Sequence, residues 1–190
     1  MIFLCDTCSV LMVVRIAPNM FLDERFECRT SSLVREEIFR KQKFKEKYPW
    51  RDAFKNKIVA VSDSELKGGV FGVVEKTINV LFDAGKINEK TKRCFDLGRV
   101  DRTLAAISVS KEWGFCSHDR DLVDFLEQEF DKPSVSPLAL YNLWIERDVL
   151  KYSSEHATIM SDWKTCNERP QPTSEIRRFC MLTNQEYLGT

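Results

Sequence analysis

Met1-Ile2-Phe3-Leu4-Cys5-Asp6-Thr7-Cys8-Ser9-Val10-Leu11 opens the chain. An unbroken apolar run ends in an aspartate, followed by small polar residues and then apolar ones again. A short apolar run without alternation reads as a strand buried on both faces of a parallel sheet. Asp6 then lies at the carboxyl end of that strand, where the chain turns into a helix. In open α/β sheets ligands bind at that edge. A carboxylate is costly to desolvate there unless a cation or hydrogen bonds compensate it.

Working outward, the 190-residue length suits one domain with an appendage. With 31% charged and 43% hydrophobic residues, the composition is that of an ordinary globular protein. Its 29 basic and 29 acidic residues cancel, so nucleic-acid binding has to rest on a local basic patch and not on the whole-protein field. The sequence lacks a basic segment followed by a long apolar one and any apolar run long enough to span a bilayer. The expectation is a cytoplasmic chain with no membrane partner. Seven cysteines, an odd number scattered through apolar segments, read as reduced thiols.

After Asp6 a short helix runs from Ser9 to Ile16 and closes at Pro18. Phe26–Thr30 reads as a second strand. Ser31 or Ser32 offers the N-cap of a helix through Val34 and Ile38 towards Tyr48. Lys57–Val61 reads as a third strand, followed by the helix-start signal Ser62-Asp63-Ser64. Beyond Gly68-Gly69 a helix continues to Gly85, another covers Asn88 to about Cys94, and Val100, Leu104 and Ile107 carry the next to Gly114. Phe115–Ser117 is a fourth strand, Leu122–Phe130 a helix and Pro133–Ser136 a fifth strand. Such alternation predicts an α/β fold, a three-layer α/β/α sandwich around a parallel sheet, over residues 1–136. Residues 137–190 form a C-terminal helical extension packed on it: Ser136-Pro137 starts a helix striped by Leu138, Tyr141, Trp144, Ile145 and Val149. Ile159, Met160 and Trp163 mark a second amphipathic stretch, and Ile176, Phe179 and Tyr187 a last segment that covers the domain or binds a partner or second copy.

The acids fall at telling places. Asp119 follows the fourth strand as Asp6 follows the first, Asp121 is two residues on, and Asp101 lies in a first helical turn, where the dipole favours an anion. Glu36 and Glu37 sit early in the helix after the second strand. If Val34 and Ile38 face the core, Glu37 is about 60° from Val34 and Glu36 about 200° away, which favours Glu37 while leaving Glu36 open. Four carboxylates converging at one sheet edge would repel one another unless a cation shared the site. Oxygen ligands without histidine suit Mg²⁺ or Mn²⁺, which in such a site hydrolyses phosphodiesters.

Cys5-Asp6-Thr7-Cys8-Ser9-Val10-Leu11, Val34-Arg35-Glu36-Glu37-Ile38, Val100-Asp101-Arg102-Thr103-Leu104-Ala105-Ala106 and Ser117-His118-Asp119-Arg120-Asp121-Leu122, in that order, resemble the PIN domain. These are metal-dependent ribonucleases, among them the VapC-like toxins of toxin–antitoxin pairs. The resemblance covers roughly residues 1–136. It implies an RNA substrate, an antitoxin or a second copy as partner, and Asp6, Glu37, Asp101 and Asp119 as the catalytic, metal-holding quartet. Ser117 matches the hydroxyl residue before the last acid and Thr7 the residue after the first. The chain departs from the pattern with His118, where a small polar residue is common, with the doubled glutamate, and with its length.

Each feature also has a plainer reading. Asp6, Asp101, Asp119 and Asp121 all suit helix starts as capping acids. Cys5 and Cys8 have C-x-x-C spacing but read as buried thiols. Arg40, Lys41, Lys43 and Lys45 could track an RNA backbone or be a solvated face. His118 stands beside the site, in a supporting role or none. A PIN fold kept as a catalytically silent RNA-binding or protein-interaction scaffold is the alternative. A haloacid-dehalogenase-like phosphatase ranks lower, because it wants an aspartate where Cys8 stands.

Overall fold

The opening apolar run forms strand β1 (Phe3–Cys5), with all three residues buried. In the computed structural model, which describes residues 1–189, β2 (Cys28–Arg29), β3 (Gly114–Cys116) and β4 (Ser134–Val135) join it. All pairings are parallel and the order is β2-β1-β3-β4. A Cβ on Gly114 would lie 2.7 Å from the Phe3 ring, so only glycine lets β3 pass β1 at this point.

Strand order decides the layers. From β1 the chain passes through α1 (Thr7–Val13) to β2 on one side. It then crosses through α2 (Ser32–Arg40), α3 (Gln42–Lys47), α4 (Asp63–Leu66), α5 (Phe71–Asp83) and α6 (Arg99–Ser110) to β3 on the other side, and on through α7 (Arg120–Phe130) to β4. Parallel crossovers are right-handed, so reversing the direction of travel puts α1 on one face and α6 and α7 on the other. The fold is a three-layer α/β/α sandwich, and the reversal between β1 and β3 opens a crevice at their carboxyl ends.

The extension consists of α8 (Pro137–Glu146), α9 (Ser154–Thr165) and α10 (Thr173–Thr183). Helix α8 packs on α1, and α10 packs on α8. Trp144 is 1% exposed, its indole N–H donates to the Phe26 carbonyl at 3.3 Å, and Trp163 donates to the Met12 carbonyl at 3.0 Å. The extension therefore shares the core of the sandwich. All seven cysteines are free thiols, with Cys5 buried and Cys8 half-buried. Among the described residues no helix is long and apolar enough to cross a membrane.

Three expected elements come out differently. Of the strand at 57–61 only a parallel bridge between Val61 and Ser31 forms, because the Arg35 guanidinium takes the Ile58 carbonyl at 3.0 Å. The helix towards Tyr48 stops at Arg40, and Lys41 is extended (φ −70°, ψ 126°). The buried Arg51 accounts for the break: its Nε–H donates to the Ile38 carbonyl at 3.1 Å, the acceptor that the Gln42 N–H would need. Residues 88–94 make a turn and not a helix. There Asn88 Oδ1 accepts from the Lys90 and Thr91 N–H groups at 2.8 and 3.2 Å, a local bond that competes with helix formation.

Candidate active site

Asp6 is the N-cap of α1 and only 5% exposed. Its Oδ1 accepts from the Ser9 N–H at 2.7 Å and its Oδ2 from the Ser117 hydroxyl at 2.5 Å. Burial raises its pKa, the bonds from Ser117 and Ser9 hold it back, and Asp119 adds repulsion. Ser117 Oγ in turn accepts from the Asp119 N–H at 3.0 Å, so one hydroxyl ties the ends of β1 and β3 together. Asp119 caps α7, accepting from the Asp121 and Leu122 N–H groups at 2.9 and 3.3 Å. Both strand-end aspartates are thus caps, as their plainer reading has it, and they also share a serine across the switch point.

Glu37 arrives from α2. The Thr7 hydroxyl donates to its Oε2 and Lys41 pairs with its Oε1. Val34 and Ile38 are fully buried, which turns the Glu37 side chain inward at 12% exposure; Glu36 is 45% exposed and paired with Arg40. The angular reading of α2 therefore holds. Asp101 caps its own helix, accepting from the Gly98 N–H at 3.2 Å. Burial, and then repulsion from Asp119, Asp6 and Glu37, pushes its pKa up to about 6. The fields of the three other acids at Asp101, together with the bonds through Ser117 and Thr7, put the four segments in one neighbourhood.

The four are not drawn tight. Among the described residues no three His, Cys, Asp or Glu side chains stand close enough to hold a metal ion. Their chemistry nonetheless fits a hard divalent cation. The donor set is four carboxylates with one lysine paired to Glu37, and each Asp6 oxygen keeps lone-pair capacity beyond the bond it accepts.

No family model, curated protein or solved structure matches the chain.

Of the supporting residues, Thr7 and Ser117 each bond a carboxylate of the quartet. Asp121 approaches Asp119 through its backbone N–H and not its carboxylate. His118 turns towards the extension: its Nε2 lies 3.2 Å from Gln171 Nε2 and 3.4 Å from the Pro170 carbonyl, and burial holds its pKa below the usual range. In the basic run, Arg40 and Lys41 are paired with Glu36 and Glu37, Lys43 lies over the Phe44 ring, and Lys45 is exposed. Lys41 thereby acts on the site carboxylate itself, a role that i,i+4 spacing from Glu37 signals in the sequence. The segment 169–173 beside His118 reads in the sequence as a break, Arg169-Pro170-Gln171-Pro172, before the last helix, and nothing in that signal ties it to the site.

The two glutamates make a direct test of this geometry. Glu37→Gln is expected to lower metal-dependent activity about 10- to 100-fold, and Glu36→Gln by less than about twofold. Glu36→Gln, on the exposed face, should melt within about half a kcal/mol of the parent in thermal denaturation. The reverse ranking in a cleavage assay would place the working carboxylate on the other face of α2.

Proposed function

We propose that this chain is a Mg²⁺- or Mn²⁺-dependent endoribonuclease of the PIN kind. One arrangement carries the reading: Ser117 bonds both Asp6 and the Asp119 N–H across the crevice between β1 and β3, and Thr7, next to Asp6, bonds Glu37, with Asp101 in the field of all three acids. Asp6, Asp101 and Asp119 would hold the cation, with Glu37 joining directly or through water. A bound divalent cation would polarise the scissile phosphate and supply hydroxide at neutral pH. Ser117 orients Asp6, Thr7 orients Glu37, and Lys41 offsets part of the acidic charge.

Single-stranded RNA should be cut with Mn²⁺ or Mg²⁺ and left intact with excess chelator. The pH profile should carry the mark of Asp101. An acid with a raised pKa is charged only above that value, so the affinity of the metal-free chain for the cation should fall as pH drops through about 6, and cleavage at limiting cation should fall with it. Undiminished cleavage in chelator would reject the mechanism.

The second reading is a silent PIN-like scaffold, favoured by the spread of the quartet and by the engagement of Glu37 with Thr7 and Lys41. Calorimetric titration with Mn²⁺ separates the two, since a scaffold of this kind takes up no cation in the crevice. The toxin role suggested by the resemblance rests on the partner: co-purification of a small antitoxin that blocks cleavage would support it.

A further inference from the structure

A cavity of about 400 Å³ lies against Asp119, one member of the quartet, and its roof comes from the extension. Ser117, His118, Asp119 and Arg120 line it from the β3–α7 side, and residues 169–173, between α9 and α10, line it from the other. Two of the residues that build the acidic crevice are therefore walls of this second space.

The wall is held in place from several directions. Gln171 is 5% exposed; its Oε1 accepts from the Leu138 N–H at 3.1 Å, while its Nε2 meets the His118 ring. An Arg169 N–H donates to the His118 carbonyl at 3.3 Å. Arg120 and Arg169 are exposed, and among the described residues neither has an ion-pair partner. The cavity thus joins two exposed guanidinium groups, Arg120 lying within the field of Asp124 on the same wall, a ring held against the backbone of 169–173, and the rim of the acidic site.

We propose that this cavity is the subsite for one unpaired ribonucleotide next to the scissile phosphate, with Arg120 and Arg169 engaging the RNA backbone. The proposal rests on the nuclease reading for its substrate class. Several features select a nucleotide. Guanidinium groups bind phosphate oxygens in a fork and stack on bases, and an imidazole offers a second stacking plane. The volume suits one nucleotide, and a wall fixed before binding loses little order when the ligand arrives. Asp119 on the shared wall means that a nucleotide seated here has its phosphate beside the quartet. The extension, on this view, completes the substrate site.

The test uses the full-length chain and a fluorescently labelled 12-nucleotide single-stranded RNA, followed by anisotropy in excess chelator so that nothing is cut. Arg120→Ala and Arg169→Ala should each weaken binding about fivefold or more and flatten its salt dependence, with melting unchanged. Lys76→Ala, which removes an exposed charge on α5, should leave binding as it is and so control for net charge. Absence of RNA binding by the parent protein, or equal affinity in all variants, would overturn the proposal. RNA binding that depends on the two arginines, without cleavage in Mn²⁺, would defeat the nuclease reading and leave the subsite standing. Mn²⁺-dependent cleavage and RNA binding indifferent to both arginines would do the opposite.

Discussion

Asp6→Asn is expected to abolish metal-dependent RNA cleavage, on the order of 100-fold or more, in a protein that melts no lower than the parent. The two effects have one cause. Asp6 is buried, and its charge is disfavoured by lost hydration and by Asp119. Asparagine has nearly the same shape. Its oxygen can accept from the Ser9 N–H, and its amide can donate to Ser117 Oγ. The folded chain then no longer carries an unfavourable charge. A carboxyl whose pKa rises on folding costs stability as pH climbs past its unfolded value, and that cost is complete above the folded value. Asp6→Asn should therefore equal the parent in strong acid and exceed it at neutral pH. Cleavage with Mn²⁺ and thermal melts at several pH values on the same preparations check both halves. A clear loss of melting temperature at neutral pH would mean that the Asp6 charge stabilises the fold through its bonds from Ser9 and Ser117 and is not a burden on it.

Trp144→Ala should have the largest effect on stability, about 3–5 kcal/mol in chemical denaturation. That is a large part of the roughly 5–15 kcal/mol that holds a domain folded. The indole meets the Phe26 ring edge-on at 5.0 Å and satisfies the Phe26 carbonyl just before β2. Removing it leaves a cavity between extension and sandwich, and leaves the Phe26 carbonyl with only the weak Cys28 thiol donor at 3.3 Å. Trp50, half-buried in the 3₁₀ segment Pro49–Phe54, sets the comparison; Trp50→Ala should cost clearly less. A loss below about 1 kcal/mol at Trp144 would mean that the extension is separable, and that chains ending near residue 136 fold alone.

Much of the candidate site is legible in the amino-acid sequence, because it is written in local signals. Asp6 and Asp119 follow apolar strands and cap the next helices, and Val34 with Ile38 orients α2 so that Glu37 turns inward. These depend on residues within one helical turn of each other, where period and capping chemistry act. That Asp101 responds to the three others is long-range, and the sequence could only expect it through the order of the motifs.

Sequence alone determined the α/β alternation, the buried first strand, and the acids placed at strand ends and helix starts. Tertiary structure decided the rest, wherever a distant group competed for a backbone bond. Arg51 took the Ile38 carbonyl and split one helix in two, Arg35 took the Ile58 carbonyl from a strand, and Asn88, bonded to Asp124 at 3.1 Å, settled into a turn. It also turned His118 from the quartet towards Gln171, 53 positions later in the chain. A backbone carbonyl or a buried ring goes to whichever partner the packed chain brings near, and propensity decides only where no such partner arrives.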